Sequence, residues 1–146
     1  MSSWRETTSK SVQDDLDAVV STALDAALEL LTKNKEFFPF GVTIDNFGGV
    51  GLASAADPAL GNSPAPNAVL ASLYAGTTES RVAYRAVGFV ADVKANGSDA
   101  VRVEVEHRDG GPGLIVVMPY QRKGLMTKVV TYGQMTAGTR ERRVWL

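Results

Sequence analysis

The stretch Ala100-Val101-Arg102-Val103-Glu104-Val105-Glu106-His107-Arg108 alternates apolar and charged residues with a period of two. Successive side chains of a strand point to opposite faces, so this spacing predicts a strand over 100–108. Val101, Val103 and Val105 would face a core, while Arg102, Glu104, Glu106 and Arg108 would face water. A pleated layer with one wet face is the mark of an antiparallel sheet that carries its helices on the other side.

Working outward, Asn96-Gly97 just upstream is a two-residue hairpin signal. It joins this strand to another over 84–94. There Val87, Phe89, Ala91 and Val93 occupy one face and Ala86, Gly88 and Val90 the other, the pattern of a strand covered on both sides. Downstream, Asp109-Gly110-Gly111-Pro112-Gly113 turns the chain into a strand over 114–119. Arg122-Lys123-Gly124 turns it again into 126–132. Residues 133–146 read as a turn-rich tail whose Val144-Trp145-Leu146 returns to the body.

In the first half, Val12, Leu16, Val19, Val20, Ala23, Leu24, Ala27, Leu28 and Leu31 recur every three or four residues. This is a helical stripe over 11–34, with Ser11 as N-cap and Asp14, Asp15 and Asp17 at the positive end of its dipole. Residues 1–10 are polar and expected to be loose, apart from Trp4. Pro39 ends the helix, and Phe40, Val42 and Ile44 alternate in a strand over 39–45. Asp45-Asn46-Phe47-Gly48-Gly49 turns into Val50 and Leu52, completing a hairpin. After a loop from Ala55 to Asn62, Ser63-Pro64 would open a second helix carrying Val69, Leu70, Leu73 and Tyr74. That helix would end at Gly76 or run on to Arg81.

The predicted order is α-β-β-α-β-β-β-β in a single domain, 1–146. The expectation is an α+β two-layer sandwich, with two helices on one face of a mostly antiparallel sheet of five or six strands.

Composition excludes more than it assigns. With no cysteine there is no thiol nucleophile, thiolate metal site or disulfide, and His107 is the one imidazole. The longest apolar run, Leu114 to Met118, falls far short of the ~20 residues of a spanning helix. No membrane association, no cofactor and no metal are expected, and a cytoplasmic location is. The net charge of −1 divides unevenly, −5 over residues 1–100 and +4 over 101–146, as at a binding face.

Lys35-Glu36-Phe37-Phe38-Pro39-Phe40-Gly41, between a long helix and a hairpin, resembles the signature of a family of small bacterial proteins with no assigned activity. Tyr84-Arg85-Ala86-Val87, Val103-Glu104-Val105-Glu106-His107 and Pro119-Tyr120 are similar to later segments of that family. The element order also resembles roadblock, longin and profilin-like domains. The resemblance spans most of the chain and implies a fold, with no catalytic residues to carry over.

Three groups of residues stand out as candidate sites. Phe37 and Phe38 would form either an exposed aromatic anchor or a plug between helix and sheet, the plug being the expected role. Glu104 and Glu106 share a strand face roughly 7 Å apart by the strand rise, a spacing open to acid–base work. Arg102 and Arg108 beside them make ion pairing on a wet face the simpler reading. His107 points the other way, which is poor geometry for one metal site; it is expected to pack inward on a backbone hydrogen bond. Tyr120, Arg122 and Lys123, with Lys128 and Arg140, Arg142 and Arg143, make a basic end. A pI near 5.8 argues against nucleic acid as its partner.

The leading expectation is a non-catalytic protein that binds a protein partner or itself, as a dimer or larger assembly, through an open sheet edge. The alternatives are a small-molecule binder or carboxylate-dependent enzyme using Glu104, Glu106 and Asp92 in a cleft between helix 2 and the sheet, and a protective partner of a toxin.

Overall fold

The computed structural model describes residues 4–55, 64–124 and 129–146. Helix α1 (Lys10–Lys33) is followed by strands β1 (Phe40–Asp45) and β2 (Val50–Ala53), then helix α2 (Pro66–Glu79). Strands β3 (Tyr84–Ala95), β4 (Ser98–His107), β5 (Gly113–Lys123), β6 (Val129–Tyr132) and β7 (Thr136–Arg140) complete the chain. The predicted Ser63 cap, the loop turns at Asp57-Pro58 and Gly61-Asn62, and residues 126–128 lie outside the described residues.

The class is the one expected, α+β with an antiparallel sheet. The described strands number seven, in the order β2-β1-β3-β4-β5-β6, with β7 also on β5. The additional strand, β7, lies in what reads as a turn-rich tail. Gly113–Val117 of β5 pairs with β7, and Tyr120–Lys123 pairs with β6, so the end of the chain lies along one long strand.

Helix α1 buries Val12, Leu16, Val19, Ala23, Ala27 and Leu31, one stripe at intervals of three and four. Its cap is Ser9 rather than Ser11: the Ser9 hydroxyl accepts the Val12 N–H, and the chain upstream is held to the helix. Arg5 grips Asp17 with two hydrogen bonds, and the Gln13 amide donates to the Arg5 and Thr8 carbonyls. Residues 5–9 are therefore docked, not loose. At the other end Arg122 donates to the carbonyls of Leu31, Asn34 and Lys35, the acceptors a helix C-terminus leaves free.

Register decides which face each helix takes. In β3, Ala86, Gly88 and Val90 sit opposite His107, Val105 and Val103 of β4, and opposite Ile44, Val42 and Phe40 of β1. This is the face under α1. Gly88 is where the helix comes closest: a Cβ there would stand 2.5 Å from Val19 Cγ1. Val87 and Phe89 point the other way, onto Val69, Leu70 and Leu73 of α2 and onto Val144. The helices thus lie on opposite faces, not together on one. The doubly apolar pattern of 84–94 is the cause, because a strand with two greasy faces needs cover on both. Asn96 at φ 51° and Gly97 at φ 77° make the expected tight turn between β3 and β4.

Candidate functional site

The second face carries the most unexpected chemistry. Glu104 and Glu106 project from β4 on the side of Val87 and Phe89, and both are at most 5% exposed. The predicted wet face is dry there, since α2 covers it from one side and the C-terminal segment from the other.

Glu106 is held by backbone. Its Oε2 accepts the N–H of Arg143 at 2.7 Å, and its Oε1 accepts those of Val144 and Trp145 at 2.9 and 3.2 Å. Three successive amides satisfy the buried carboxylate and fasten the chain end over the sheet. Arg142 completes the fastening, its guanidinium donating to the carbonyls of Trp145, Gly111 and His107.

Glu104 is held by side chains. Tyr74 of α2 donates its hydroxyl to Oε1, and Arg140 of β7 is paired with Oε2. Arg143 lies 3.5 Å from Oε2, and Arg102 of β4 stands 3.9 Å from Oε1. The Arg143 guanidinium also sits over the Tyr74 ring, 3.8 Å from its centroid. Four segments, from β4, α2, β7 and the tail, therefore converge on one carboxylate. Both oxygens of each glutamate are already engaged, so neither is poised as a free acid or base towards a substrate. Arg108, expected to pair with them, instead contacts Asn46 and Asp109.

His107 is buried on the α1 side. Its Nδ1 accepts the Asp109 N–H at 3.0 Å, which places the ring proton on Nε2, 2.8 Å from Asp15 Oδ2. Arg85 grips the same carboxylate at 2.9 and 3.0 Å. Burial opposes ionisation of Asp15, but the bonds from His107 and Arg85 prevail and hold its pKa below 3.8. The backbone bond to His107 is the one expected. Both ring nitrogens are used within the fold.

Of the aromatic and basic candidates, Phe37 is buried against Phe40, ring centroids 5.6 Å apart, as a plug requires. Phe38 is exposed. Tyr120 is buried rather than presented for contact, and donates to Asp92 at 2.7 Å. Burial raises the Asp92 pKa, the Tyr120 bond opposing it. Burial and Asp92 together push the Tyr120 hydroxyl well above its ordinary value. Arg122 caps α1, which leaves Lys123 as the exposed cation of this group, and Lys128 lies outside the described residues.

The remaining feature is the edge of the sheet. Strand β2 is the end of the strand order, and its Val50 and Leu52, opposite Ile44 and Val42, point to the α1 face. The helix does not reach over them: Val50 is 50% and Leu52 62% exposed. Between them and α1 runs a groove of about 360 Å³, lined by Ala26, Leu30, Phe40, Leu52 and Ala53 with Glu29 at its rim. Val50 and Leu52 do resume the alternation and complete the hairpin expected there. Alternation assigns a face, but a four-residue strand at the end of the sheet lies beyond the helix that covers that face.

Among the described residues no cluster of three histidine or acidic side chains could hold a metal ion, and no helix is long and apolar enough to cross a membrane. Neither a family model, nor a curated protein, nor a solved structure matches the chain.

Proposed function

We propose that the protein acts by non-catalytic association with a second copy of itself, through the open edge of β2. The observation that carries this reading is an edge strand that is apolar and, among the described residues, unguarded. Edge strands are normally blunted by lysine, proline, a bulge or an inward charge. The pairing of β2 with β1 is regular, and no charged residue occurs between Asp45 and Asp57.

A second copy is the occupant this surface suits. An antiparallel pairing of β2 with itself is two-fold symmetric, so each residue meets the same short segment of the partner. A charged edge would meet its own charge in such a contact, whereas an uncharged one carries no repulsion. Val50 and Leu52 would then bury against the partner strand, beside the groove along α1. Removing the exposed part of those two side chains from water contributes on the order of 2–3 kcal/mol per protomer, in addition to the backbone ladder.

The test is the mass of the protein in solution. Light scattering coupled to size exclusion should give twice the 15.5 kDa of the chain at micromolar concentration. Leu52→Lys should return the monomer with an unchanged far-ultraviolet spectrum, since its side chain is exposed in the protomer, and with a melting temperature that no longer depends on protein concentration. A wild-type mass of 15.5 kDa at all concentrations contradicts the reading.

A further inference from the structure

The turn that leads into the open edge holds a whole phenyl ring in water: Phe47 is 98% exposed. Single exposed apolar side chains are ordinary on protein surfaces, but this one is held out by a built turn. Asp45 Oδ1 accepts the N–H groups of Phe47 and Gly49 at 2.8 and 2.9 Å. The Asp45 carbonyl accepts the Gly48 N–H, and Gly48 closes the turn at φ 89°. The ring is thus displayed from fixed backbone, which reduces the entropy lost when it docks.

A receptacle of matching chemistry lies at the other end of the same strand. The groove between β2 and α1 is walled by Ala26, Leu30, Phe40, Leu52 and Ala53, and Ser54 forms its mouth. Glu29 at the rim is paired with Lys33 at 3.0 Å. The groove holds about 360 Å³, and an apolar cavity of ~150 Å³ already takes a benzene ring. A chain cannot fill its own groove with Phe47, because the length of β2, about 10 Å by the strand rise, separates them.

Two-fold pairing of β2 brings ring and groove together between copies. The Asp45 N–H donates to the Gly49 carbonyl, so these two residues are a hydrogen-bonded pair. Alternation along the ladder makes Thr43 and Gly51 another, and leaves the N–H and C=O groups of Val50 and Leu52 on the free edge. The symmetric register centred within the strand therefore sets Val50 opposite the partner's Leu52, and Gly51 opposite itself. Gly48 then meets the partner's Ser54, with Phe47 one residue further, at the mouth of the partner's groove. The axis of such a pair is perpendicular to the sheet, so both grooves lie on the same side as both α1 helices.

Area argues the same way. Stable interfaces bury ~1,200–2,000 Å² in total, and two four-residue edges with Val50 and Leu52 half exposed fall short of that. A phenylalanine ring buries ~150–250 Å² and covers a similar area of wall, so a reciprocal pair of rings adds ~600–1,000 Å².

We infer that Phe47 anchors the dimer, its ring seated between Leu30 and Leu52 of the second copy, whose own Phe47 fills the first groove in return. This anchoring rests on the self-association through β2 proposed above, and it supplies the pocketed aromatic contact from which interfaces draw most of their affinity.

Two measurements test it. In a mixture of methyl-labelled and unlabelled copies of the wild-type protein, nuclear Overhauser contacts should join the Phe47 ring of one copy to the Leu30 and Leu52 methyls of the other. Sedimentation equilibrium of Phe47→Ala should give a dissociation constant raised ~10–100-fold, with the far-ultraviolet spectrum unchanged, since the side chain lies in water in the protomer. A wild-type dimer that Leu52→Lys disrupts, but that lacks those contacts or is matched in affinity by Phe47→Ala, overturns the anchor and leaves the β2 pairing standing. A wild-type mass of 15.5 kDa at every concentration overturns both. Should the variant fail to fold, the wild-type contacts still decide.

Discussion

His107 Nε2 and Asp15 Oδ2 lie 2.8 Å apart, joining β4 to α1 across 92 residues of chain. With Arg85 on the other side of the carboxylate, this is a polar tie near the start of the long helix; Tyr132 and Arg122 tie its later turns to the sheet through the Leu24 and Leu31 carbonyls. Around them the packing is apolar, so these ties together fix where along the sheet the helix sits.

Acid should expose this tie. The pKa of Asp15 is depressed in the folded protein, so its contribution to stability is full above the unfolded value near 3.8. It is lost as pH falls through the lower folded value. Asp15→Asn should therefore cost ~1–3 kcal/mol at neutral pH and flatten the stability profile below about pH 4. Urea unfolding of both proteins from pH 2 to 7 measures this.

Asp92 has the opposite sign. Its pKa is raised by burial, so the stability linked to its protonation is present below the unfolded value and lost as pH rises through the folded one. Asp92→Asn keeps an acceptor for Tyr120 and removes the buried charge. Chemical denaturation at pH 7 should find the variant as stable as wild type or up to about 1 kcal/mol more so.

Glu106 fastens the chain end. Glu106→Ala would leave the N–H groups of Arg143, Val144 and Trp145 without their acceptor, at a cost of ~2–4 kcal/mol. Amide exchange should become fast at those three residues and at β7 before it does in β3 or β4.

Gly88 permits the close approach of α1. Gly88→Ala must move Val19, deep in the core, and should cost ~1–3 kcal/mol while leaving the far-ultraviolet spectrum of the folded protein unchanged. Thermal melts followed at two wavelengths would measure both effects.

Much of this fold was legible from local pattern. The apolar stripe of α1, the Asn96-Gly97 turn and the two-faced apolar character of β3 each depend on residues close in sequence. The dryness of Glu104 and Glu106 was not legible, because alternation says which residues share a face and not what covers it. Their cover comes from Tyr74, Arg140 and the 143–145 amides, some 30 to 40 positions away. Strand β7 was missed for a related reason. Thr136-Ala137-Gly138-Thr139-Arg140 is mostly exposed and shows no alternation, since pairing with β5 and not burial holds it in place. The Asp15 partner of His107 reads locally as one more acid near a helix N-terminus. Of the candidate site, the residue types were visible and their convergence was not.

The most direct test of the association surface is hydrogen exchange in β2 as a function of protein concentration. If two copies pair through this edge, the β2 amides that point away from β1 gain protection as concentration rises through the dissociation constant, and Leu52→Lys abolishes the gain. Exchange at these amides that is independent of concentration, with the protein at its 15.5 kDa chain mass throughout, contradicts it.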